Sequence, residues 1–201
     1  MRSRGILVAL LAVAAFGGMA PGAPATTMKT LSGTTVATGS SLSGSLKSGT
    51  SWRLDGGPAG SVTCTTSTLG GSLGTNPMSP AVSASLTSMT VSTCTDTLPF
   101  VAVSSVTMSA LGASFTFAGT ASTFAIHGLR ITFTLTTGAT CTYAPTVEPA
   151  TGEHDSHTSP WNGEYAFAEP MTRTGGTAGA GCPTLGVTWS ATYVLGMTIQ
   201  A

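Results

Sequence analysis

Residues 185–199 read LGVTWSATYVLGMTI, and every second position is apolar: Leu185, Val187, Trp189, Ala191, Tyr193, Leu195, Met197 and Ile199. The places between are mostly Gly, Thr and Ser. Successive side chains of a strand leave opposite faces of its sheet, so this alternation describes a half-buried β-strand. At about 3.3 Å per residue the run would reach roughly 45 Å, far beyond an ordinary strand. A bulge or bend is therefore expected at Gly196 or near Ser190. A natural companion is Leu129 to Tyr143, with Leu129, Ile131, Phe133 and Leu135 on one face, Arg130, Thr132, Thr134 and Thr136 on the other, and Cys141 beyond a break at Gly138. Cys182 stands just before the first run and Cys141 near the end of the second, so a disulfide between them would lock the two together.

Outward from this pair the same pattern repeats. Short alternating runs cover 42–47, 50–54, 61–69, 81–95, 98–108, 111–117, 123–127 and 164–169. Clusters such as Asp55-Gly56-Gly57-Pro58 and the Gly/Asn/Pro stretch 70–80 separate them as turns. Within 81–95 the inward parity changes between Leu86 and Met89, which marks a bulge. No apolar residues recur at helical spacing over three turns. Roughly ten strands without helices predict an all-β fold, an antiparallel β-sandwich or flattened barrel, with β-branched Thr filling the outer positions. Residues 26–40 are polar and read as a loose arm or an edge strand.

The first 25 residues have the form of a signal peptide. Arg2 and Arg4 are followed by the apolar run Ile6 to Phe16 and by Ala23-Pro24-Ala25, an A-x-A cleavage pattern that would leave a single domain over 26–201. No later run is apolar enough for a membrane span. The chain has 7 Lys and Arg against 7 Asp and Glu; Arg2 and Arg4 belong to the leader, so five cations would remain against seven anions. Without a basic patch, nucleic acid is excluded as a partner. The 4 cysteines of an exported chain read as two disulfides. Of three possible pairings, Cys64 with Cys94 and Cys141 with Cys182 is favoured because each joins strands neighbouring in sequence. Each closure would contribute roughly 4 kcal/mol through the unfolded state.

The segments SVTCTTSTLGG (61–71), VSASLTSMTVSTCT (82–95), ITFTLTTGATCTY (131–143) and GCPTLGVTWSATYVL (181–195), together with the leader and the Ser/Thr/Gly-rich first third, resemble the small exported β-proteins encoded in large numbers by actinobacteria. The resemblance rests on texture and cysteine placement. It implies a secreted, disulfide-bonded bacterial β-fold and carries over no functional residue.

Three constellations bear on chemistry. Gly70, Ser72 and Gly74 spell the G-x-S-x-G of a nucleophile elbow, which requires a helix after the turn; Pro77 and Pro80 forbid one. Glu153, His154, Asp155 and His157 concentrate metal-capable side chains in the charged stretch 144–161, whose bland reading is a solvated loop. Trp52, Trp161, Trp189, Tyr143, Tyr165 and Tyr193 could form a sugar platform if exposed, yet Trp189 and Tyr193 lie on an inward alternation, and only Trp161 is placed for exposure. His127 precedes Gly128 at a turn. With so few titratable groups the chain is expected to need no cofactor and to act as a non-enzymatic structural or interaction module. Its partner would be a cell-envelope component, or an extracellular protein or glycan. The alternatives are a β-sandwich binding carbohydrate or a small apolar molecule and, more distantly, a metal-dependent hydrolase built on His154 and His157.

Overall fold

The computed structural model describes residues 27–30, 32–78, 81–99, 102–118, 121–154, 163–177, 181–184 and 186–200. The leader, Asp155, His157, Trp161 and Leu185 lie outside them. Fourteen strands are present among the described residues: β1 Thr27–Thr30, β2 Ser41–Leu46, β3 Trp52–Asp55, β4 Ser61–Leu73, β5 Ala81–Asp96, β6 Val103–Ser109, β7 Gly112–Ala118, β8 Ala121–His127, β9 Arg130–Leu135, β10 Thr140–Pro145, β11 Ala150–Glu153, β12 Glu164–Gly176, β13 Val187–Leu195 and β14 Met197–Gln200. One 3-10 turn, Gly57–Ala59, follows β3. The long run quoted first breaks at Gly196 into β13 and β14, and β14 leaves the main sheet to pair with β1.

Strand register turns this list into a simpler object. β2 and β3 both lie between β4 and β13, at successive levels, so they form one stave with an excursion between them. β6 and β7 pair with β9 and β8 along a single long hairpin, with one register slip between Val103 and Ser105. β10 and β11 share the next stave, opposite successive parts of β12. The result is eight antiparallel staves in chain order, β2/β3, β4, β5, β6/β7, β8/β9, β10/β11, β12 and β13. The ring closes because β13 pairs with β12 on one side and with β2 and β3 on the other.

Of the two architectures the alternation allowed, the sandwich is thus replaced by a closed barrel: the last stave finds its ladder on the first. Leu129 to Tyr143 is not a companion strand of β13. Gly138, with φ of 82°, turns it into the β9–β10 hairpin, and β12 takes the place beside β13. Nor is 144–161 a continuous loop, since Ala150–Glu153 is laddered to β8 and β12.

The inward alternates fill the barrel. Trp52, Trp189, Tyr143, Tyr165, Tyr193, Phe115 and Phe124 are all buried. Phe115 stacks on Phe124 at 4.7 Å, and Phe124 meets Tyr165 and Phe167 edge-on at 5.6 Å each. Such pairs add to the burial energy of the rings themselves. Outside, hydroxyls pair across neighbouring strands, as in Thr68 with Thr90 at 2.6 Å and Thr132 with Thr142 at 3.0 Å. Both expected disulfides form, Cys64–Cys94 and Cys141–Cys182.

Candidate functional site

The residues singled out for chemistry disperse. Ser72 is inside β4, laddered on both sides, and its hydroxyl meets that of Ser85 at 2.8 Å. Gly71 is there because a Cβ would collide with the Ser85 carbonyl. This is a bulged strand, with no elbow. Glu153 ends β11, and His154 is buried, its amide donating to the Ser122 carbonyl at 3.2 Å and its ring standing edge-on to Tyr165 at 5.8 Å. Among the described residues no group of three or more His, Cys, Asp or Glu side chains gathers as a metal site would require. His127 Nε2 pairs with the Ser114 hydroxyl at 2.8 Å on the outer wall.

Five of the six aromatic candidates, Trp52, Trp189, Tyr143, Tyr165 and Tyr193, are at most 1% exposed. They are core, and offer no platform to a sugar. Burial pushes the Tyr165 and Tyr193 hydroxyls up to about 12, against smaller downward pulls from Ser122 and Ser67. Tyr193 bonds the Ser67 hydroxyl at 2.7 Å, whereas the Ser122 hydroxyl lies near Tyr165 without a well-directed hydrogen bond. Tyr143 is also raised by burial to about 12, opposed by Arg173; its hydroxyl donates to the Pro183 carbonyl at 2.9 Å. At that end of the barrel, Leu54, Phe133, Leu135 and Val187 line a small apolar cavity of about 30 Å³, room for no more than a few water molecules.

What the wall contains instead is a seam. β5 pairs with β7 only over Ala81–Ala84. Beyond that point β5 is laddered to β4 alone, and β6 to β9 alone. The barrel is therefore closed at the β2–β7–β8–β11 end and split at the other, where two strand edges face each other without main-chain bonds.

The causes are local. Thr87 is an extra residue in β5, opposite the Gly70/Gly71 step of β4, and the register of β6 slips between Val103 and Ser105. Bulges of this kind twist and bend a strand away from its neighbour. Thr93 adds a φ of 54°, a left-handed conformation that is uncommon for a β-branched residue. The split holds one cavity of about 260 Å³ between 91–94 and 103–106, and a second of about 130 Å³ between 86–89 and 108–110. Half-buried Leu86, Met89 and Val91 face half-buried Val103, Val106 and Met108 across it. Exposed Ser88, Ser92, Ser105 and Ser109 form the rim.

Sequence reasoning did not find this site, although its sign was present in the parity change between Leu86 and Met89. Comparison with protein-family models, curated proteins and solved structures finds no match.

Proposed function

We propose that the chain is an exported, non-catalytic interaction module and that the β5–β6 seam is the surface through which it engages an extracellular or cell-envelope partner. The observation that carries this reading is the seam itself: a barrel whose other neighbouring staves are joined by ladders leaves the edges of β5 and β6 unladdered, above half-buried apolar side chains and among hydroxyls. Unpaired strand edges are features that proteins ordinarily cover.

The remaining chemistry agrees. No titratable groups converge in the seam, where hydroxyls, thioethers and peptide groups suit recognition rather than bond breaking. Two disulfides fit an oxidising compartment. Among the described residues no helix is long and apolar enough to cross a membrane. The staves carry apolar side chains inward and Thr and Ser outward, the inverse of the arrangement on a lipid-facing barrel.

The test places charge on the rim. Ser92→Lys with Ser105→Lys should abolish capture of envelope components by the mature protein. Stability should shift by no more than about 0.5 kcal/mol, as for ordinary surface changes. Thr188→Lys, on the outer face of β13, should leave capture intact. Capture that survives the rim substitutions removes the seam from the function.

A further inference from the structure

The seam also indicates what kind of partner it fits, an inference that rests on the module reading above. We infer that it receives an extended, uncharged polypeptide segment, which pairs main chain to main chain with the open edges of β5 and β6.

Three observations carry this. The first is the chemistry on offer. Over 88–92 and 105–109 the outward-facing N–H and C=O groups have no ladder partner across the seam, and each is an obligatory donor or acceptor. An extended backbone supplies the complementary row at the right repeat, as in recognition by strand addition.

The second is the lack of protection. Edge strands are commonly blunted by Lys, Pro or an inward-pointing charge, yet β5 (AVSASLTSMTVSTCTD) and β6 (VSSVTMS) contain no Lys, Arg or Pro. Their one charged residue, Asp96, closes the end of the seam, where its carboxylate accepts from the Val103 amide at 3.0 Å. An uncharged segment meets no charge along the serine rim, and an acidic one finds no cation there.

The third is the floor. Met89 and Met108 lie on opposite sides of the narrower cavity, and methionine adapts its shape to varied apolar side chains. Alternate residues of an inserted strand would point onto this floor while the others reach the serine rim, so main-chain bonds would supply affinity and the floor a preference for small and medium apolar side chains. Bulges at Thr87 and near Ser104 leave the edges slightly parted, so an entering strand widens an existing gap and breaks no ladder.

Hydrogen exchange on the intact, disulfide-bonded chain tests this, with acetyl-Thr-Val-Ser-Val-Thr-Val-Ser-amide as the probe. The seam-facing amides of 88–92 and 105–109 should exchange readily in the free protein and slow by about tenfold or more with the peptide at millimolar concentration. The same peptide N-methylated at alternate residues should give no protection, and Ser92→Lys with Ser105→Lys should abolish that given by the parent.

Several results would overturn the inference. Seam amides already as slow as those of β8 would show that the edges pair in solution. Protection that grows with protein concentration and no peptide would assign the seam to a second copy of the chain, and protection by cellobiose in place of the peptide would assign it to a glycan. Failure of the peptide to protect, while the rim substitutions still abolish envelope capture, would refute strand pairing and leave the module reading standing.

Discussion

Trp189 and the three buried tyrosines set what single side chains do here. Trp189 is fully buried, with its ring 5.1 Å from that of Phe167. Trp189→Ala should cost about 3 to 5 kcal/mol, the range for truncating a buried aromatic, read by chemical denaturation with the disulfides intact. Thr188→Ala, on the exposed face of the same strand, should change little. The Trp189 indole N–H has no acceptor among the described residues, and an unmade buried hydrogen bond is itself a cost; Trp189→Phe should therefore destabilise less than Trp189→Ala. Tyr165 and Tyr193 make a separate prediction at high pH. Burial holds both hydroxyls near 12, above the ordinary tyrosine value of 10. The unfolded chain thus loses these protons first, and stability is full below pH 10 and falls as pH rises toward 12. Phenolate absorbance should accordingly rise together with unfolding in an alkaline titration. A tyrosine signal that appears near pH 10 with the fold intact would place these hydroxyls at the surface.

At the level of strands, the period-2 pattern was legible, and the partnership of strands only where Cys64 and Cys94 marked the β4–β5 pair. Alternation placed β2 to β5, β7, β8 and β13 to within about four residues, because Thr outside and aromatic or aliphatic residues inside leave a clear signal; it ran β9 and β10 together, started β6 five residues early and ended β12 seven residues short. It also marked the interval from Leu86 to Met89 that holds the Thr87 bulge, and Gly196 as one of two places for the break, the other near Ser190. It could not reveal that β2 with β3, or β10 with β11, share one stave, because that follows from how far each excursion returns along its neighbour. The stretch 150–153 was missed as a strand because Thr151 and Glu153 gave it the texture of a loop; what fixes it is the ladder to β8 and the Glu169 carboxylate, which accepts from the Thr151 amide at 2.6 Å. Likewise Arg130 and Glu148, 3.1 Å apart, join the β9 stave to the turn between β10 and β11, and such long-range partners leave no local mark. The seam was hidden for the same reason. Each edge reads as an ordinary amphipathic strand, and only the closed ring shows that the two fail to meet.

The whole barrel divides into a closed end held by ladders and a split end held by crosslinks. Cys64–Cys94 ties β4 to β5 beside the seam, and Cys141–Cys182 ties the start of β10 to the segment that leads into β13. Both bonds lie at the end where the β5–β6 ladder is missing, while the stacked Phe115 and Phe124 belong to the laddered end. Closure entropy predicts that each bond contributes roughly 4 kcal/mol, with loops of 30 and 41 residues differing little. Reduction should therefore remove a large part of a stability that for typical domains totals about 5 to 15 kcal/mol. The loss should also be directional: hydrogen exchange after mild reduction should accelerate first in β6, β9 and the start of β10, and last in β7 and β8. Cys94 is exposed and lies in the wall of the larger cavity whereas Cys64 is buried, so an incoming thiolate reaches Cys94 from the seam side. A ligand seated in the seam should then slow reduction of Cys64–Cys94 and leave that of Cys141–Cys182 unchanged. Uniform acceleration across both ends on reduction would mean that the barrel unfolds as one unit and that the split end has no independent opening.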